Sequence, residues 1–222
     1  MYPFWDIFDF DSFYILVIGG KIVIDRNDLE HIHSDIVESD KLIEKYTNIV
    51  TIFGSARIAE NSKYYQDAKK LAERFSKSGY VVLTGGGPGI MEASNRGAFE
   101  SGGESIGFNI ELPREQSPNP YLTRSYTFHK FFTRKFMLIK HSKIFVVFPG
   151  GFGTLDELFT LLVLVQTGKM ERVKIFLYDS NFFNPMVEFL RKSLLSNGMI
   201  SKEDLELFQI VDSIDEVATE TK

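Results

Sequence analysis

At 222 residues, with 44% hydrophobic and 25% charged side chains, the chain has the size and composition of a globular protein with one sizeable core. It contains no cysteine, which excludes a disulfide scaffold and thiolate chemistry. A formal charge of −5 argues against coating nucleic acid, which needs a net basic face, and no apolar run approaches the roughly 20 residues that span a bilayer.

Residues 1–47 differ in character from the rest. No basic stretch precedes an apolar one, so no secretory signal is expected and the expected location is the cytoplasm. Residues 1–14 crowd Tyr2, Phe4, Trp5, Phe8, Phe10, Phe13 and Tyr14 among Asp6, Asp9 and Asp11. The runs 14–18 and 21–25, joined by Gly19-Gly20, read as a hairpin with a two-residue glycine turn; one short helix ahead of Gly19 is the alternative. Residues 35–46 have helical spacing. So many aromatics are expected to leave water by packing on the body of the protein or on a second subunit.

From residue 48 the pattern alternates. Strand-like runs at 49–53, 80–84, 105–110, 125–128, 144–148 and 173–178 are separated by helical patterns at 62–78, 89–101, 131–141, 154–168 and 185–197. A last short strand at 207–211 and a helical tail from 213 follow. Such alternation predicts right-handed βαβ units and a Rossmann-like, doubly wound, mostly parallel sheet with helices on both faces. The division expected is an N-terminal extension, 1–47, and a nucleotide-binding catalytic domain, 48–222. In these sheets ligands bind beyond the carboxyl ends of the strands.

The candidate site residues fall at those ends. The first βα turn, Gly54-Ser55-Ala56-Arg57, offers a hydroxyl and a cation. The second, Gly85-Gly86-Gly87-Pro88-Gly89-Ile90-Met91-Glu92, spends four glycines where only close approach of another group would justify the backbone entropy. It is neither the dinucleotide fingerprint nor a Walker A loop. The proline-stiffened segment 111–121, with Arg114 and Glu115, can wall a pocket. Residues 129–143 hold Lys130, Arg134, Lys135, Lys140 and Lys143 without an acid, on a stretch so apolar that a largely buried helix is expected. A buried guanidinium there needs an anionic partner. Last comes Pro149-Gly150-Gly151-Phe152-Gly153-Thr154-Leu155-Asp156-Glu157, a strand, a glycine turn and a helix start in the order that makes an anion site. Thr154 and Glu157 also have the spacing of a capping box. The four histidines, His31, His33, His129 and His141, show no ligand spacing, so no metal is expected.

Together GGGPGIMEA at 85–93, Arg134-Lys135 and PGGFGTLDE at 149–157 resemble the signatures of the Lonely Guy family, cytokinin riboside 5'-monophosphate phosphoribohydrolases long labelled lysine decarboxylases. The likeness runs from about residue 49 to 211. It implies hydrolysis of the N-glycosidic bond of a nucleoside 5'-monophosphate to free base and ribose 5-phosphate, without cofactor or metal, in a homo-oligomer. By the same resemblance Arg134 and Glu157 are catalytic. The implied substrate-binding positions are Ser55, Gly86, Gly87, Gly89, Glu115, Arg134, Lys135, Gly150, Gly151, Gly153, Thr154 and Asp156. Other readings stay open at this point: a broader purine or pyrimidine nucleotide nucleosidase, a nucleotide-binding protein without turnover, and a pyridoxal-dependent decarboxylase, which would need a Schiff-base lysine.

Overall fold

The run Ile49–Phe53 is buried at all five positions, as suits a central parallel strand covered on both faces. In the computed structural model, which describes residues 26–111 and 117–220, the strands are β1 (Ile49–Phe53), β2 (Val81–Thr84), β3 (Ser105–Ile110), β4 (Arg124–Phe128), β5 (Ile144–Val147), β6 (Lys174–Tyr178) and β7 (Gln209–Val211). They form one sheet ordered β4-β3-β2-β1-β5-β6-β7, with every neighbouring pair parallel. The helices are α1 (Arg26–Ile43), α2 (Lys63–Lys77), α3 (Ile90–Glu100), α4 (Phe131–Lys140), α5 (Phe152–Gln166), α6 (Ser180–Phe189) and α7 (Ile214–Glu220). The aromatic run at 1–14, the glycine hairpin at 14–25 and the candidate Glu115 lie outside the described residues.

Alternate residues of each strand feed two cores. Ile49 and Phe53 join the apolar cluster with Met137 and Leu138 of α4 and Leu158 and Leu161 of α5. Val50 and Ile52 join Leu71 and Phe75 of α2, Ala93 of α3 and Val217 of α7. In α2 the local cause is plain: Ser62 accepts from the Tyr64 N–H as N-cap, and Tyr65, Ala68, Leu71, Ala72 and Phe75 recur on one buried face. Burying the larger of these contributes about 1.5–3 kcal/mol each. Strand order reverses between β1 and β5, which makes that gap the switch point where a doubly wound sheet opens to ligand.

Four elements depart from expectation. The helix expected at 35–46 spans Arg26–Ile43 of the described residues. The helix expected to start at Pro185 starts at Ser180, because Asp179 caps it by accepting from the Asn181 N–H. Helix α4 is not buried all round: Thr133, Met137, Leu138 and Ile139 face the core, while Phe131, Phe132 and Phe136 are exposed. Helix α5 begins at Phe152, with Gly151 at the cap and no side-chain cap, so Thr154 is already inside the helix and the capping box does not form.

Candidate active site

A cleft of about 740 Å³ opens over the carboxyl ends of β1 and β5. One wall is the first βα turn, with Ser55 and Arg57; the other is the start of α5, with Gly150, Gly151, Gly153 and Thr154; Arg134 and Glu157 also line it. The first N–H groups of a helix have no intrahelical acceptor, and its positive dipole end favours an anion placed there. A Cβ added at Gly151 or Gly153 would meet nothing within 4 Å, so this backbone faces open space.

Glu157 lies one turn further into α5. Its carboxyl is pushed up to about 7, because burial disfavours the charged form more than the Arg134 guanidinium restores it. Arg134 Nη1 is 4.0 Å from Glu157 Oε1, and both side chains are largely buried. The guanidinium is held from behind: Nε donates to the Phe108 carbonyl at 2.6 Å and Nη2 to the Gly85 carbonyl at 3.2 Å. Burial pulls the Arg134 pKa below its ordinary value, with Glu157 opposing. The anionic partner that the sequence demanded for Arg134 is thus Glu157, assisted by the Gly85 carbonyl just past β2 and the Phe108 carbonyl within β3.

The two glycine loops have different occupants. Around Gly85–Gly89 the groups that come close belong to the protein itself. A Cβ at Gly85 would stand 2.1 Å from Arg134 Nη2, and one at Gly89 would stand 2.3 Å from the Ser55 carbonyl oxygen. The Gly86 N–H donates to Thr84 Oγ1 at 2.9 Å, and the Gly87 carbonyl accepts from Asn119 Nδ2 at 3.1 Å. Gly86, Gly87 and Gly89 are not among the residues lining the cleft. Of the two loops, the 150–153 loop lines the cleft, and the 85–89 loop packs on Arg134 through Gly85.

Lys135 and Asp156 meet each other, with Nζ 2.8 Å from Oδ2, and neither lines the cleft. Two other cations of the acid-free stretch also find acids: Lys130 pairs with Asp28 and Lys140 with Asp40, both on α1. Sequence reasoning missed the polar bracing of the 85–89 loop. Asn95 Oδ1 accepts from Thr84 Oγ1 at 2.6 Å and from Asn119 Nδ2 at 2.9 Å, and Asn95 Nδ2 donates to Ser105 Oγ at 2.9 Å. A lone asparagine in a helical pattern carries no sequence signal for that role. Met91, Ile110 and Phe131 also line the cleft, and their apolar character reads in sequence only as core. Among the described residues, no cluster of three or more metal-ligating side chains occurs, and no helix is long and apolar enough to cross a membrane.

Comparison with known proteins adds relatives to this geometry. The cytokinin riboside 5'-monophosphate phosphoribohydrolase of Rhodococcoides fascians is 26% identical over 146 residues, 64% of this chain and 73% of that protein. A protein of the same description from Arabidopsis thaliana is 29% identical over 163 residues, 71% of this chain and 74% of that one. Among solved structures, the molybdenum cofactor binding protein of Rippkaea orientalis shares the fold with a TM-score of 0.59 at 18% identity, over 80% of this chain and 96% of that one. The molybdenum cofactor carrier protein of Chlamydomonas reinhardtii does so with a TM-score of 0.56 at 22% identity, over 79% and 96%. Residues 91–221 match the profile of the family described as possible lysine decarboxylase, and with its GGGPGIMEA, Arg-Lys and PGGFGTLDE signatures the chain belongs to that family, the Lonely Guy proteins.

Proposed function

We propose that this protein hydrolyses the N-glycosidic bond of a nucleoside 5'-monophosphate, releasing the free base and ribose 5-phosphate. The observation that carries the proposal is Glu157: a buried carboxyl pushed up to about 7, in a cleft whose wall is an open helix N-terminus. The relatives' description as phosphoribohydrolases supports the same reaction. The 5'-phosphate sits on the first N–H groups of α5 beside Gly151 and Gly153, and Ser55 and Arg57 close over it from the first βα turn. Binding energy from the phosphate orients the sugar, away from the bond that breaks.

Breaking C1'–N sends the bond's electron pair to the base and leaves an oxocarbenium-like ribosyl centre, which the Glu157 carboxylate stabilises. A carboxyl that titrates near 7 is also matched to accept a proton from the attacking water. Water's oxygen bonds to C1', and its proton ends on the departing base. Arg134 holds Glu157 in place and favours its ionised form. Lys135 is paired with Asp156 and does not line the cleft, which gives no support to Schiff-base chemistry.

We further propose a homo-oligomer in the cytoplasm, built from a nucleotide-binding unit, 48–222, and an N-terminal extension, 1–47. Support for self-association comes from Phe132 and Phe136 on α4 and Phe152, Phe159 and Val163 on α5, all exposed on helices that flank the cleft. Incubation with a panel of nucleoside monophosphates, assayed for ribose 5-phosphate, tests the activity. Release from AMP or an N6-substituted analogue is expected. Intact nucleotide that nevertheless raises the melting temperature would replace the hydrolase with a binding protein.

A further inference from the structure

Helix α4 carries Arg134 at its fourth position, yet it starts without a cap of its own: Lys130 occupies the cap position and makes no side-chain hydrogen bond there. The missing acceptor comes from α1. Asp35, wholly buried, accepts from the Lys130 N–H at 3.2 Å, the His129 N–H at 3.1 Å and the Thr133 hydroxyl at 2.6 Å. His129 Nδ1 lies 2.8 Å from the same carboxylate, and the His129 ring stacks on His31 of α1, centroids 4.0 Å apart. Burial alone would raise the Asp35 carboxyl, but the hydrogen bonds from Thr133, His129 and Lys130 hold it below its ordinary value. It therefore stays a carboxylate at the positive end of the α4 dipole. At the opposite end of α4, Asp40 takes Lys140 Nζ at 2.8 Å and His141 Nε2 at 2.6 Å. Aspartates of one helix thus grip the other at both termini.

The grip at the N-terminal end is one turn from the proposed chemistry. The Arg134 N–H makes the first i to i−4 bond of α4, to the Lys130 carbonyl at 3.2 Å, and the Lys130 amide is the one Asp35 holds. The guanidinium has fixed acceptors on one side, Phe108 and Gly85, and Glu157 on the other at 4.0 Å. That separation is beyond direct hydrogen bonding, so the attraction is Coulombic and weakens as α4 retreats. We propose that Asp35 is a positioning residue of the Arg134–Glu157 pair: by capping α4 from α1 it sets the place at which Arg134 meets Glu157, and the segment ahead of β1 is thereby a working part of the site. This inference rests on the assignment of Arg134 and Glu157 above.

The test is the titration of Glu157 itself in the full-length protein. With 13C-labelled glutamate, the Glu157 carboxyl is the resonance that vanishes in Glu157→Gln, and it is followed against pH in Asp35→Asn, Asp35→Ala and Asp40→Asn. Besides Arg134, the charges that Glu157 feels are Asp156 and Lys135, which pair with each other and are not bonded to Asp35. The midpoint, about 7 in the parent, is expected to rise in both Asp35 variants, because Glu157 stays buried while its counter-charge retreats. It is expected to stay in place in Asp40→Asn, which loosens the far end of α4. In parallel, kcat for AMP falls on the order of 10- to 100-fold in Asp35→Ala with KM little changed, the expected penalty for a misplaced catalytic group. An unmoved midpoint in the Asp35 variants, or an equal movement in Asp40→Asn, overturns the proposal and leaves Asp35 a stabilising cap only. If Asp35→Ala fails to fold, Asp35→Asn decides. If the parent does not hydrolyse AMP, the nucleosidase reading fails while the titration still judges the clamp.

Discussion

Replacing Glu157 by Gln removes a charge that folding has to bury. The carboxyl goes from an ordinary value of 4.5 to about 7 in the folded protein, with burial as the leading cause. A carboxyl that binds its proton more tightly when folded gives stability that is complete below pH 4.5 and lost as pH rises through about 7. At about 1.4 kcal/mol for each tenfold change in proton affinity, the loss amounts to about 3 kcal/mol by pH 8. The attraction of Arg134 is already contained in that figure, since it is one of the influences that set the folded value. Glu157→Gln is isosteric and does not titrate. It is expected to match the parent near pH 5 and to exceed it near pH 8 by about 3 kcal/mol, or roughly 6–12 °C in melting temperature for a chain of this length. Thermal or urea unfolding of both proteins at half-unit steps from pH 5 to pH 8 measures the difference. The variant should at the same time release no base from AMP, the exchange of function for stability expected at a site that holds a strained charge. Parallel curves for the two proteins across this range would refute the reasoning, since the charge would then cost nothing to bury.

Other expectations follow from the same site. Because the ionised form of Glu157 is the active one, kcat/KM for AMP should fall about tenfold for each full pH unit below about 7; a flat profile from pH 5 to 8 excludes Glu157 as the titrating group. Gly153→Ala meets open space and lies within α5, so the fold should gain up to about 1 kcal/mol, while KM for nucleotide rises as the methyl crowds the phosphate. An unchanged KM moves the phosphate elsewhere. Gly85→Ala should do the reverse, since its Cβ would stand 2.1 Å from Arg134 Nη2; stability drops by about 1–3 kcal/mol and kcat falls with Arg134 displaced, and wild-type values for both would show that the guanidinium is not seated there. Asn119→Ala strips the Gly87 carbonyl and Asn95 of a buried partner and should cost about 1–3 kcal/mol by urea unfolding.

The sheet was legible because its signal is local. Ile49–Phe53 is apolar or β-branched throughout, and in Ser105–Ile110 the apolar Ile106, Phe108 and Ile110 alternate with Ser105, Gly107 and Asn109; the structure keeps both sets of bounds. Helix starts were less legible, since a cap depends on which of several neighbouring groups takes the first N–H. Asp179 won over Pro185 at α6, and Gly151 displaced Thr154 at α5. The exposed aromatics of α4 defeated the apolar count, because composition around a helix does not say what another element covers.

By itself the sequence determined the parallel α/β architecture, the end of the sheet at which chemistry gathers, and, through the family resemblance, Arg134 and Glu157 as the residues to look for. These rest on periodicity and on motifs a few residues long. Only the tertiary structure decided that the 150–153 loop faces the cleft while the 85–89 loop seats a guanidinium, that Lys135 and Asp156 neutralise each other, and that α1 supplies the cap for α4. Each depends on a distance between residues 20 to 100 positions apart, and proton affinity and reach are set by such distances and by burial, which no local pattern encodes.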